Sequence, residues 1–349
     1  MKKLLIAAFM FVSTFTSNVF ADGHAIKMGI ILGFTGPIES LTPAMRDSAK
    51  LAFSEASNSG SLLGGKKITV IEGDSTCVDS AAAQAAAEKL VADGVVAIMG
   101  ADCSGVTGAI ASNVAVPNGV TMISPSATSP GLTGLDDKGF FFRTAPSDAR
   151  GGQILADITK DRKIKSVAIT YTNNDYGKGL ADVYEAAVKA HGIKVTTVAA
   201  HEDGKADYTA EVSTLASAGG DAIAVIGYLD QGGKGIIQGS LDSGAFDTFI
   251  LSDGMIGDSL TDAFGKNLNK SFGSLPGSTG KGAGVFAKVA KDGGIDSSGP
   301  YTGESYDAAA LLVLAMQAGG SADRASIAKN VMSVANGPGK KIYPGELKK

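Results

Sequence analysis

The chain has 349 residues, long enough for two ordinary domains, and its 44% hydrophobic and 19% charged content is typical of a globular protein. Its formal net charge is −4 at pH 7 and it contains no run of basic residues, which argues against a nucleic-acid partner. Two cysteines and three scattered histidines provide no metal-ligand spacing, so we expect neither a metal centre nor another cofactor.

The N-terminus has the pattern of a secretory signal. Lys2 and Lys3 precede a short apolar run, and Val19-Phe20-Ala21 has small residues at the positions that a signal peptidase requires. The apolar run is far shorter than the roughly 20 residues that span a bilayer. We therefore predict that residues 1–21 form a signal peptide cleaved after Ala21, and that the mature protein is soluble and periplasmic. Cys77 and Cys103 are expected to form a disulfide in an exported protein, with two buried free thiols as the alternative.

From residue 26 onward, short apolar runs alternate with longer amphipathic stretches. Buried strands that alternate with helices indicate a parallel sheet covered on both faces. The predicted strands are Ile26–Leu32, Ile68–Ile71, Val95–Met99 and Val120–Ile123, and the predicted helices are Pro43–Ala56, Ser80–Ala92 and Gly105–Val114.

The same pattern begins again near residue 166. Its predicted strands are Ser166–Tyr171, Ile193–Ala199, Ala222–Ile226 and Thr248–Leu251, and its predicted helices are Gly179–Ala190, Tyr208–Ala218 and Gly232–Asp242. The sequence therefore predicts an α/β fold with two similar doubly wound parallel-sheet lobes. We expect crossovers at Phe142–Pro146 and Phe272–Thr279, with a long helix, Gly303–Ala318, returning to the first lobe. The expected boundaries are 22–146 and 278–349 for lobe 1, and 147–277 for lobe 2.

Signatures of enzymes are missing or incomplete. Neither Gly-Lys pair has the spacing of a phosphate-binding loop, and there is no Gly-x-Ser-x-Gly elbow. Gly257-Asp258-Ser259-Leu260 resembles the nucleophile block of an esterase family, but no histidine lies in the context that such a nucleophile needs. We expect Ser259 to begin a helix, and an exported hydrolase remains the less favoured alternative.

Ligands of open α/β sheets bind beyond the carboxyl ends of the strands, which places a site in the cleft between the two lobes. In lobe 1, Ser104 is expected to cap the helix that starts at Gly105, where unpaired N–H groups favour a carboxylate. The alternative is an ordinary helix cap. The hydroxyl-rich loop of residues 124–130 ends the next strand, with a plain surface turn as its alternative.

In lobe 2, Asp253 follows an apolar strand and is expected near the cleft, where a ligand ammonium or turn amides could satisfy it. Tyr228 ends another strand, and Tyr176 lies in a predicted turn, Asn174–Gly177. Hydroxyls on one lobe facing a carboxylate and phenols on the other are the complement of an α-amino acid.

At these residues the chain resembles the type I periplasmic binding proteins of ABC transporters, in the leucine/isoleucine/valine-binding branch. The resemblance runs from Ile26 to about Ala318. It is carried by Gly33-Phe34-Thr35-Gly36-Pro37, Asp102-Cys103-Ser104, Ile123-Ser124-Pro125-Ser126-Ala127-Thr128, Asn174-Asp175-Tyr176-Gly177-Lys178-Gly179 and Gly227-Tyr228.

The resemblance implies roles by position. Ser104, Thr128 and the backbone N–H of Ser126 would bind the α-carboxylate, with Ala127 in the same loop, and Tyr228 and Asp253 would hold the α-ammonium. It further implies that Tyr176 lines the cleft and that Cys77 and Cys103 form the disulfide of the first lobe. Asp253 stands where glutamate is usual, and Leu41 where an aromatic residue often covers the side-chain pocket.

The expected function is that of a monomeric solute receptor, without catalytic activity. It would capture a small amino acid, in particular an aliphatic or branched-chain one, and deliver it to the permease of an ABC transporter. The alternatives are the same fold with an amide, urea-like or aromatic-acid ligand, and a sensory ligand-binding domain.

Overall fold

The structure is a computed structural model that describes residues 25–347. The predicted signal peptide and its cleavage site lie outside the described residues and stay predictions. No helix in residues 25–347 combines the length and the apolar character needed to cross a bilayer.

Within residues 25–347, ten strands form two five-stranded parallel sheets. The first sheet has the order β2-β1-β3-β4-β5 and the second has the order β10-β9-β8-β6-β7. We call the parts built on these sheets lobe 1 and lobe 2. The strands are β1 (Ile26–Leu32), β2 (Ile68–Asp74), β3 (Ala97–Gly100), β4 (Thr121–Ser124), β5 (Phe141–Arg143), β6 (Ser166–Thr172), β7 (Lys194–His201), β8 (Ala222–Ile226), β9 (Phe249–Leu251) and β10 (Phe272–Gly273).

Helices cover both sheets, which confirms the predicted α/β fold class. They are α1 (Thr42–Asn58), α2 (Ser80–Ala92), α3 (Ser104–Ile110), α4 (Asp148–Asp161), α5 (Asp175–Ala190), α6 (Thr209–Ala218), α7 (Gly232–Ser243), α8 (Asp258–Phe264), α9 (Lys281–Asp292), α10 (Thr302–Gly319) and α11 (Arg324–Ala335).

The central strands of lobe 1, β1, β3 and β4, are buried on both faces, whereas the edge strands β2 and β5 are partly exposed. From β1, Met28 and Ile30 pack into the cluster that includes the buried residues of α1 and α10, while Ile31 packs into the cluster on the opposite face with α2 and α3. This alternation follows from the two-residue period of a strand and explains why β1 is apolar from Met28 to Leu32. The chain therefore returns to lobe 1 after β10 to supply one of its covering layers.

The predicted crossovers are partly wrong. Phe141–Arg143 pairs with β4 and Phe272–Gly273 pairs with β9, so each predicted connection begins as an edge strand of its sheet. Both strands are too short for a periodic pattern to indicate them. Helix α4, which packs on α5, was also not predicted.

Candidate functional site

The wall of lobe 1 begins where β3 ends. The prediction that Ser104 caps the following helix is wrong, because Cys103 takes the extended conformation before the helix and Ser104 is the first helical residue. Cys103 is bonded to Cys77, as predicted, and this bond restrains the backbone at that point. Instead of capping its own helix, the Ser104 hydroxyl accepts a hydrogen bond from the N–H of Ser129 at 3.1 Å. Ser104 thus connects α3 to the loop after β4.

That loop is held by its own hydroxyl groups. Ser124 donates to the carbonyl of Ala101 at 2.5 Å and accepts from the N–H of Ala127 at 3.0 Å. Ser126 donates to the carbonyl of Asp102 at 3.1 Å. The hydroxyl of Thr128 is buried and forms no hydrogen bond of ordinary geometry within residues 25–347, but it interacts with the Asp148 carboxyl and lowers its pKa. Thr128 therefore acts on Asp148 from within the loop.

Asp102 lies in the same wall, but its carboxylate is already satisfied. It accepts hydrogen bonds from the N–H of Gly33 at 2.6 Å, from the Ser75 hydroxyl at 3.0 Å and from the N–H of Cys103 at 2.9 Å. Burial raises its pKa, and these donors act in the opposite direction. Asp102 therefore fixes the turn and leaves the wall of lobe 1 without a free charge of its own.

The wall of lobe 2 is centred on Asp253, which follows β9 and is 7% exposed. The hydroxyl of Tyr176 donates to its Oδ1 at 2.7 Å, and the hydroxyl of Tyr301 donates to its Oδ2 at 2.5 Å. Burial raises the pKa of Asp253, while the two phenols favour its charged form. Within the described part of the chain, no lysine, arginine or histidine forms an ion pair with this carboxylate.

The position of Tyr176 is fixed by the backbone at the start of α5 and by its stacking on Tyr228. The prediction of a turn at Asn174–Gly177 is wrong, because α5 already begins at Asp175 and Asn174 caps it by accepting from the N–H groups of Tyr176 and Gly177, both at 3.0 Å. A Cβ at Gly177 would lie 2.1 Å from the carbonyl oxygen of Thr172, so only glycine permits this approach. The ring of Tyr228 stacks on that of Tyr176, with centroids 5.2 Å apart.

A second buried acid, Asp148, lies at the start of α4 and was not predicted. Its N–H donates to the carbonyl of Thr128 at 2.9 Å, and its Oδ2 is buried without a hydrogen-bond partner in the described chain. Burial, followed by the charge of Asp253, raises the pKa of Asp148 to about 8, against smaller opposing effects of the Thr128 hydroxyl and of Arg143. The buried carboxyl groups of Asp148 and Asp253 are thus close enough to affect each other's charge.

The structure brings five predicted residues to one cavity between the lobes: Ser104, Ser126, Tyr176, Tyr228 and Asp253. Ala127 and Thr128 do not line this cavity, although both side chains are buried in the adjacent loop. The apolar part of the cavity wall consists of Ile38, Leu41 and Met45.

Tyr301 also lines the cavity and was missed by sequence reasoning. It precedes α10, and its backbone has φ 59°, in the left-handed region that an aromatic residue rarely adopts. No local motif marks this position. Among residues 25–347, no group of acidic, histidine and cysteine side chains is arranged to hold a metal ion.

Comparison with known proteins identifies the family. The model of the family described as periplasmic binding protein matches residues 25–338. The chain belongs to the type I periplasmic binding proteins, in the leucine/isoleucine/valine-binding branch.

The chain is 31% identical to Leu/Ile/Val-binding protein homolog 1 of Brucella melitensis over 340 residues, which cover 94% of this chain and 88% of that one. It is 30% identical to the Leu/Ile/Val-binding protein BraC3 of Rhizobium johnstonii, with 86% and 82% covered. A third relative, homolog 3 of Brucella melitensis, is 32% identical, with 67% of this chain aligned to 62% of that protein.

Solved structures share the fold. A leucine-binding protein, LivK, from Thermotoga maritima superposes with a TM-score of 0.77 at 24% identity, covering 88% of this chain and 87% of that one. A solute-binding protein from R. palustris in complex with 4-hydroxybenzoate superposes with a TM-score of 0.72 at 18% identity, covering 88% and 84%. These superpositions confirm that this chain has the two-lobed fold.

Proposed function

We propose that this family member binds an α-amino acid with an aliphatic side chain in the cleft between its lobes and delivers it to the permease of an ABC transporter. The observation that carries the proposal is the buried carboxylate of Asp253, which has two phenol donors and no basic partner within residues 25–347. An ammonium group of the ligand would supply the missing positive charge.

The opposite wall suits the other end of such a ligand. Ser104 and Ser126 line the cavity on this side and offer neutral donors. A ligand carboxylate that accepts these donors would form charge-assisted hydrogen bonds, which are stronger than neutral ones. Asp148, whose pKa the charge of Asp253 raises, would add to the negative surroundings of the ammonium from behind the cavity wall.

The side chain of the ligand would lie against Ile38, Leu41 and Met45. These residues offer no hydrogen bond, so they favour an aliphatic group over a polar one. The names of the relatives from Brucella and Rhizobium, Leu/Ile/Val-binding proteins, agree with this choice. A periplasmic location, a monomeric state and the transporter partner belong to the same proposal.

A second candidate ligand is an aromatic carboxylic acid. Structures of the same fold are described in complex with 4-hydroxybenzoate and with benzoate, at 18% identity in each case. Such a ligand has no ammonium, so Asp253 and Asp148 would oppose its charge unless they were protonated.

A panel of three probes tests the proposal in calorimetric titrations. L-Leucine should bind, whereas 4-methyl-2-oxopentanoate, which lacks the ammonium, and leucinamide, which lacks the carboxylate, should each bind at least about a hundredfold more weakly. Benzoate serves as the probe for the second candidate. Tighter binding of benzoate or of the oxo acid than of leucine would overturn the amino-acid assignment.

A further inference from the structure

Asp230 forms a hydrogen-bonded bridge between the two lobes. It follows β8 in lobe 2, and its Oδ2 accepts from the N–H of Ser40 in lobe 1 at 2.9 Å. Its Oδ1 accepts from the Ser40 hydroxyl at 2.9 Å, and its own N–H donates to the carbonyl of Pro37 at 2.9 Å. The carboxylate therefore provides two of three bonds across the cleft at this point.

The carboxylate is also oriented from within its own lobe. The Ser259 hydroxyl, near the start of α8, donates to Oδ1 of Asp230 at 2.9 Å. Within residues 25–347 the Ser259 hydroxyl forms no hydrogen bond to lobe 1, so removing it changes the surroundings of the carboxylate without removing a bridging bond. It is a matched control for any change at Asp230.

The bridge lies in the segment that builds the apolar part of the ligand cavity. Ser40 stands between Ile38 and Leu41, and both of these line the cavity. Leu41 also reaches lobe 2, because its Cδ2 lies 3.0 Å from the place where a Cβ of Gly257 would stand. The Cδ2 of Leu229, the residue before Asp230, lies 2.5 Å from the same Cβ position. Leu41 thus occupies a space that Gly257 leaves open.

We infer that Asp230 is a positioning residue, which holds Leu41 against lobe 2 and thereby sets how long the ligand stays bound and how strongly long aliphatic side chains are preferred. The bridging geometry is independent of the ligand, while the selectivity part of this inference rests on the proposed function.

The physical reason is that these bonds exist only while the lobes are together. Interactions confined to the closed state favour that state and chiefly slow the release of a ligand. Asp230 is half-buried, so solvent screens its interactions and the expected effect is moderate. Loss of the bridge would also let Leu41 move away from lobe 2. A ligand with a long aliphatic side chain would then lose apolar contact with Leu41, whereas the methyl group of alanine would not.

The experiment compares Asp230→Ala with Ser259→Ala by stopped-flow binding of L-leucine and L-alanine. Asp230→Ala should raise the dissociation rate of L-leucine about tenfold with the association rate nearly unchanged, and lower the leucine-to-alanine affinity ratio about threefold. Ser259→Ala should stay within about twofold of the wild type in every quantity. Asp230→Asn, which retains an acceptor for the Ser40 N–H, should lie between them.

Three outcomes would overturn the inference: an unchanged dissociation rate in Asp230→Ala, an equal change in Ser259→Ala, or equal losses for leucine and alanine. If the wild type binds no L-leucine, the proposed function fails and the bridge is assessed without ligand by small-angle X-ray scattering. A larger radius of gyration in Asp230→Ala than in the wild type and Ser259→Ala would then support the bridge, and identical scattering would refute it.

Discussion

The two walls of the cleft are built from the same kind of element and differ in charge. In lobe 1, the strand ends present hydroxyls, and the acid Asp102 is fully occupied by three donors from its own lobe. In lobe 2, the corresponding edge presents Asp253, which has phenol donors and no basic partner in residues 25–347. The comparison teaches that the repeated architecture brings two strand-end walls together at one cavity, and that these walls differ in charge. Under the proposed function, this difference would set the orientation of the ligand.

The largest expected effect comes from the charged wall. Asp253→Asn should weaken the binding of L-leucine by about 2–5 kcal/mol, because the ammonium is left buried without its partner. Titration calorimetry with L-leucine and with 4-methyl-2-oxopentanoate measures this. The oxo acid should bind the variant no worse than the wild type. Asp247→Asn, at an exposed ion pair with Lys270, is the control and should change neither affinity. Equal losses for both probes in Asp253→Asn would contradict the assignment.

A change in the neutral wall of lobe 1 should lower the affinity for L-leucine by less. Ser104→Ala removes a hydroxyl at the cavity and should weaken the binding of L-leucine by about 1.5–3 kcal/mol, since the lost bond is to a charged group. Part of the effect on folding will come from the N–H of Ser129, which loses its acceptor. Thr107→Val is the control, because it removes a buried, unpartnered hydroxyl one turn further along α3. A leucine affinity that is unchanged in calorimetry would show that Ser104 serves only the loop.

The buried carboxyl group of Asp148 should make the stability of the protein depend on pH. Its pKa of about 8 lies above the ordinary carboxyl value, so between about pH 4 and pH 8 the folded protein holds a proton that the unfolded chain has released. The free energy of unfolding should therefore decrease as the pH rises through this window. In Asp148→Asn the decrease should be smaller by up to about 1.4 kcal/mol per pH unit. Urea unfolding of the ligand-free proteins at several pH values measures it, and parallel curves would contradict the prediction.

The smallest effect is expected for the phenol that reaches Asp253 from the segment before α10. Tyr301→Phe removes one donor to the carboxylate and should weaken the binding of L-leucine by about 1 kcal/mol. Tyr306→Phe is the control on the same helix, since its hydroxyl donates to Glu55 and does not line the ligand cavity. Comparable losses in the two variants would mean that Tyr301 acts through the helix and not through Asp253.

Much of the fold follows from local pattern. The bounds of β1, α2 and β8 were predicted to the residue, because apolar runs and an alanine-rich amphipathic stretch determine them. The start of α5 was missed although Asn174 has a capping side chain, and recognising an N-cap asparagine there would have corrected it. The start of α3 was misplaced by one residue, because Cys103 and not Ser104 takes the extended conformation.

Most of the predicted site residues follow strand ends. Ser104, Ser126, Tyr228 and Asp253 follow predicted strands, so topology alone places them at the cleft, whereas Tyr176 was expected there from the family resemblance. Tyr301 lies just before α10 of lobe 1 and Asp148 begins α4, so neither follows a predicted strand, and their proximity to Asp253 depends on three-dimensional packing. No periodicity in the chain encodes such a contact.

The cluster of Tyr176, Tyr228 and Tyr301 has a consequence for optical measurements. The chain has no tryptophan and eight tyrosines, three of which contact or flank one carboxylate in the cleft. Tyrosine emission in this protein therefore cannot be lost by energy transfer to an indole. Phenols that donate to a carboxylate are quenched through transfer of the proton in the excited state. Loss of the hydrogen bonds that Tyr176 and Tyr301 donate to Asp253 should therefore change a part of the ultraviolet emission, to which all eight tyrosines contribute.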